Sequence, residues 1–156
     1  MSVEDMKDFI ESFSAIPDDP KTPFIVAHEL AQNDDGTYHL SVIISSHALI
    51  ELILKDPSDK LIQVDFTHNL SVDGFLVAMV GCPNDSQEYC PICVSITTGE
   101  NRRSTMDVLG WVRQNHVGSV KAVMADGAKP ISVAIYKVFG EKIIRLMCYY
   151  HMRKYV

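Results

Sequence analysis

Two aspartates carry the chemistry written most plainly in this chain: Asp65 in L-I-Q-V-D-F-T and Asp126 in V-K-A-V-M-A-D-G. Each stands at or near the end of a short apolar, β-branched run, the pattern of a buried strand. Two such strands laid side by side bring two carboxylates together, an arrangement that holds divalent metal for phosphoryl transfer. Each residue also has an ordinary account. Asp65 fits a strand-end aspartate making turn hydrogen bonds, and Asp126 fits a plain A-D-G turn. Mutual proximity is the joint test.

A second set of reactive side chains invites a zinc reading: C-P-I-C at Cys90–Cys93 and C-Y-Y-H at Cys148–His151. The spacing within each half suits a Cys3His site, but the gap between the halves is long for a simple finger. Cys90 and Cys93 also enter a β-run, where residues three apart point to opposite faces, so Cys93 is assigned to the core ahead of zinc. A redox C-x-x-C is disfavoured because a β-run rather than a helix follows it. Nothing marks the chain as secretory, so free thiols are expected. His68 is assigned to a surface turn. Arg102 and Arg103 fit either phosphate contacts or a solvated helix start. Trp111 fits core packing, and Lys137, Arg145, Arg153 and Lys154 are too scattered to make a nucleic-acid patch.

The elements that must position these residues follow from periodicity. Val3, Met6, Phe9, Ile10 and Phe13 predict a helix over 2–15, broken at Pro17. Two β-rich runs, Phe24–Ala31 and Thr37–Ile44, flank N-D-D-G, a hairpin signal. Ser45 or Ser46 caps a helix over 47–55, which Asp56-Pro57 ends. Strands are predicted at 61–67, 72–81 and 91–98, then a helix at about 103–115, a strand at 119–125, a helix at 129–139, a strand at 142–147 and a helix starting at 149. Three strands in succession, then helix–strand–helix–strand, is the order of an RNase H-like domain. The expected fold is α/β: a mixed five-stranded sheet with flanking helices over 59–156, preceded by a small α/β lead-in over 1–58. In that architecture the first and fourth strands are neighbours, which puts Asp65 near Asp126.

Composition bounds the function classes. The 156 residues, 47% hydrophobic and 22% charged, suit one globular domain with a real core. No apolar stretch approaches the ~20 residues needed to span a bilayer. The acidic start M-S-V-E-D-M-K-D-F lacks the form of a signal peptide, and an intracellular protein is expected. The net charge of −6 is uneven: residues 1–60 hold 12 acidic against 4 basic side chains, and residues 61–156 hold 8 against 10. An acidic first third is a poor surface for DNA, so any nucleic-acid contact is expected from the later part.

The pieces V-D-F-T (Val64–Thr67), G-F-L-V-A-M-V-G (Gly74–Gly81), S-I-T-T-G-E (Ser95–Glu100), W-V (Trp111–Val112), A-D-G (Ala125–Gly127), A-I-Y-K-V-F-G (Ala134–Gly140) and C-Y-Y-H occur in a telling order and spacing. Together they resemble the catalytic core of Mutator-like (MULE) transposases of the DDE transposase/RNase H-like superfamily. With the hairpin and S-V-I-I-S-S, the resemblance covers residues 24–156. It implies that Asp65 and Asp126 are the first two members of an Asp-Asp-Glu triad. That triad holds Mg2+ or Mn2+ for cleavage and strand transfer at transposon ends, with DNA as partner and a nuclear location. It gives Cys148 and His151 of the C-x-x-H signature a supporting or DNA-positioning role.

The chain departs from the family pattern in one respect. The family's third acidic residue lies well beyond C-x-x-H, whereas only Met152–Val156 follow His151 here, and Glu100 and Glu141 are poor substitutes. The expectation is a transposase core fragment, incomplete for catalysis, with apolar surface that favours a homo-oligomer. The competing expectation is a non-catalytic domesticated domain that binds DNA or a protein partner.

Overall fold

The computed structural model describes residues 2–55, 60–67, 74–84, 86–115 and 120–148. Its elements are α1 (Val3–Phe13), β1 (Phe24–Gln32), β2 (Tyr38–Ser45), α2 (His47–Lys55), β3 (Lys60–Thr67), β4 (Leu76–Pro83), β5 (Tyr89–Thr97), α3 (Arg102–Asn115), β6 (Val120–Ala125), α4 (Lys129–Phe139) and β7 (Ile144–Met147). The helix expected from 149, His68, His151, Arg153 and Lys154 lie outside the described residues.

Short-range chemistry sets most boundaries. Ser2 and Asp5 close a reciprocal capping box on α1. Ser46 Oγ accepts the Leu49 N–H, which makes Ser46 the residue that caps α2. Asn101 does the same for α3 by accepting the Ser104 N–H. The N-D-D-G turn is formed as expected, with Gly36 at φ +82° and the Asn33 N–H bonded to the Thr37 carbonyl at 2.8 Å. β4 runs over Leu76–Pro83 rather than 72–81, and β7 begins only at Ile144 because Glu141 and Lys142 lie in a turn after α4.

The sheet corrects the expected strand count. All seven strands form one mixed sheet in the order β1-β2-β5-β4-β3-β6-β7. The five expected strands occupy one side of it, and the hairpin is its continuation: β2 pairs antiparallel with β5 from Ser41↔Thr97 to Ile44↔Val94. The physical reason lies in β2, which is buried along most of its length and therefore needs a partner on each edge for its backbone groups. β3 is the hinge of the topology. It runs antiparallel to β4 and parallel to β6, and β6 in turn runs parallel to β7. Parallel neighbours require crossovers, which α3 and α4 supply.

Buried apolar side chains fall into two clusters on opposite faces of the sheet. The larger packs α3 and α4 (Val108, Leu109, Trp111, Val112, Ile131, Ile135, Val138) over Ile62, Val64, Val80 and Val123. The smaller seats Met6 and Ile10 of α1 on Ile25, Leu40, Val42 and Phe75. Trp111 is core, as its spacing implied.

The β4–β5 pairing slips between Val80 and Gly81. A Cβ at Gly81 would lie 2.5 Å from the Cys90 carbonyl oxygen and 2.5 Å from the Tyr89 ring, so the close approach of backbone and ring explains the glycine. No helix among the described residues is long and apolar enough to cross a membrane.

Candidate functional site

Strand pairing puts the two aspartate-bearing segments on adjacent strands. β3 and β6 run parallel with Ile62 opposite Val123 and Gln63 opposite Met124, so Asp65 and Asp126 each stand two residues past a registered pair. Alternation puts Asp65 on the face away from buried Val64, and Asp126 directly follows buried Ala125, the last residue of β6. Neighbouring strands run ~4.8 Å apart, a separation that one metal ion bridges between two carboxylates. Asp65 is exposed and Asp126 half-buried.

Several neighbours shape this end of the sheet. The Gly127 N–H donates to Asp126 Oδ1 at 2.5 Å. The Arg145 guanidinium donates to the carbonyls of Ala125 and Asp126, and the Cys148 N–H joins on the Ala125 carbonyl at 3.0 Å. Arg145 therefore fastens β7 to the end of β6 and is spent on backbone rather than on phosphate. Its pKa is lowered, chiefly by burial. Across β3, Met79 stands opposite Asp65, and the Tyr89 hydroxyl is pushed up to about 12, first by burial, then by the charges of Cys93, Asp65 and Cys82. Met79 on β4 and Ile144 and Leu146 on β7 are exposed apolar side chains to either side of β3 and β6.

The cysteines are distributed differently from the sequence reading. Cys93 is buried, and its thiol is pushed up to about 12 by that burial. The register slip pairs Cys93 with Val80 and Cys90 with Cys82, two β4 residues on one face, so the bulge cancels the expected opposition of Cys90 and Cys93. Cys148 follows β7, four strand spacings or roughly 19 Å from β5, so it is not brought to Cys90 and Cys93.

A third group was not anticipated. His39 on β2, only 3% exposed, places Nε2 2.8 Å from Asp107 Oδ2 on α3 and 3.7 Å from Glu29 Oε2 on β1. Arg103 holds Glu29 Oε1 at 2.5 Å and reaches Asn33 Oδ1 at 3.3 Å. Arg103 thus joins α3 to the hairpin, while its side chain, 42% exposed, also stands at a solvated helix start. Among the described residues, Glu29, His39 and Asp107 are the only three metal-ligating side chains whose donor atoms gather within 4.8 Å. A cavity of about 310 Å3 adjoins them, with Ser41, Trp111 and Gln114 in its wall.

The electrostatics of this group have a testable sign. Glu29 lies below its ordinary 4.5, first because Arg103 hydrogen-bonds it, with burial opposing. Asp107 is pushed above 3.8, first by burial, against the His39 hydrogen bond. Stability from the depressed Glu29 is present above its unfolded value and lost as pH falls through the folded one. The raised Asp107 works the other way: its contribution is present below 3.8 and lost as pH rises. Arg103→Ala removes the Glu29 part, so its cost in Tm should be larger at neutral pH than well below pH 4.5. An equal cost at both would refute the ion pair.

Neither a family model nor a curated protein matches this chain.

Proposed function

We propose that this chain carries an RNase H-like phosphoryl-transfer core of the MULE transposase type, acting on DNA. The reading rests on one observation above all: β3 and β6 are parallel neighbours with Gln63 opposite Met124, which supports a pairing of Asp65 with Asp126 two residues further on. The strand order β5-β4-β3-β6-β7, with two antiparallel steps and then two parallel ones, supports it.

Asp65 and Asp126 are the residues that would hold Mg2+ or Mn2+, which supplies Lewis-acid activation of a phosphodiester and its attacking oxygen. The chain's own contribution is placement. Arg145 and Cys148 fix the β6 end from the β7 side, and the exposed position of Asp65 leaves the pair open to a bulky substrate. The exposed apolar Met79, Ile144 and Leu146 flanking β3 and β6 support self-association.

Paramagnetic broadening by Mn2+ tests the reading. Resonances around Asp65 and Asp126 should broaden, and Asp65→Ala or Asp126→Asn should weaken binding by more than about tenfold, or ~1.4 kcal/mol. Unchanged binding in both variants would sink it. Among the described residues no third carboxylate joins the pair, so the polypeptide Met1–Val156 should bind metal without cutting DNA. Cleavage that vanishes in Asp65→Ala would show an additional ligand. The same lack of a third carboxylate favours a second reading, a non-catalytic domain that binds DNA or a protein. Binding of DNA unaffected by metal or by Asp126→Asn would select it.

A further inference from the structure

We propose that Glu29, His39 and Asp107 form a second divalent-cation site, of the zinc or manganese class, independent of the aspartate pair and of the function assigned to it. The three side chains come from β1, β2 and α3 and converge on the sheet face opposite α1. An ion with bonds of ~2.0–2.2 Å to nitrogen and oxygen holds its ligand atoms about 3.0–3.5 Å apart. The donors stand at 2.8 and 3.7 Å from His39 Nε2, and all three within 4.8 Å of one another, so sub-ångström side-chain adjustments enclose an ion.

The surrounding groups are arranged as supports. Arg103 grips both oxygens of Glu29, Oε1 at 2.5 Å and Oε2 at 3.4 Å, and Oε2 also faces His39 at 3.7 Å, the way an outer hydrogen bond orients a ligating carboxylate. An imidazole between two carboxylates suits Zn2+ or Mn2+ better than a soft monovalent ion.

A second observation, separate from the cluster, points to a ligand. Ser41 is 1% exposed and its Oγ has no hydrogen-bond partner, although burial of an unpaired hydroxyl is costly. Ser41 stands opposite Glu29 in the β1–β2 register and lines the same cavity as Glu29 and Asp107. Three protein ligands leave room for water on a zinc-type ion, and a cavity of about 310 Å3 accommodates it. The Ser41 hydroxyl is then the partner for that water, which satisfies both.

The test uses the full chain with Zn2+ and with Co2+ as a spectroscopic probe. After dialysis against Zn2+, elemental analysis should find one equivalent in the wild type and in Asp65→Ala/Asp126→Ala, so failure of the aspartate pair leaves this result untouched. Asp107→Asn and His39→Gln, near-isosteric changes, should each weaken binding by more than about tenfold. The Co2+ form should show no thiolate charge-transfer band, which separates this site from Cys82, Cys90 and Cys148. Absence of stoichiometric metal in the wild type overturns the proposal, as does a thiolate band or binding insensitive to Asp107→Asn. If His39→Gln does not fold, the wild-type stoichiometry, the cobalt spectrum and Asp107→Asn decide.

Discussion

Leu109→Ala is expected to lower stability by about 3–4 kcal/mol, because a fully buried leucine leaves both lost transfer free energy and a cavity. Leu109 is 0% exposed and lies in the cluster where α3 and α4 meet the sheet over Ile62 and Val64. In a domain of this size that corresponds to a fall in Tm of roughly 6–16 °C. The consequence reaches function, since Ile62 and Val64 belong to the strand that carries Asp65. With the proposed aspartate pair as the Mn2+ site, a loosened α3–sheet contact should weaken that binding slightly while leaving its stoichiometry unchanged. Urea unfolding measures the first effect. A loss under about 1 kcal/mol would mean that the interior collapses around the site or that α3 is not seated as described.

His39→Ala should cost about 2–3 kcal/mol, through a different mechanism. Truncation strands the Asp107 carboxylate, whose side chain keeps only 20% of its exposure, next to a second carboxylate on Glu29. The estimate sits below that for a wholly buried ion pair because Glu29 is 40% exposed and retains Arg103. A double-variant cycle isolates the cause. If the cost comes from the stranded charge, His39→Ala/Asp107→Ala should be less destabilised than the sum of the single changes. Strict additivity would show that His39 and Asp107 do not interact. Glu29→Gln, which affects only a partly exposed pair, should cost under about 1 kcal/mol.

These two effects also define what the sequence disclosed. The apolar spacing of α3 marked Val112 and Trp111 as inward, and burial bears this out. No local signal marks His39, because β2 alternates Leu40, Val42 and Ile44 against His39, Ser41, Ile43 and Ser45, a pattern compatible with one buried face and one wet one. Both faces are covered, α1 lying over the first and α3 over the second. A histidine and two serines on the supposedly wet face are thus interior. Asp107 lies 68 residues from His39 and Glu29 on another strand, and no local pattern joins them.

The sequence by itself determined the elements and their order, because capping residues, turn glycines and apolar periodicity act over a few residues. It also determined that Asp65 and Asp126 each stand at or near the end of a buried strand. Tertiary structure alone decided the rest: that β2 docks on β5 and extends five strands to seven, that a bulge turns Cys90 toward the Cys93 face, and that Glu29, His39 and Asp107 converge. Those outcomes depend on which edge pairs with which and on which faces are covered, and such choices are made by long-range burial rather than by any residue's neighbours in the chain.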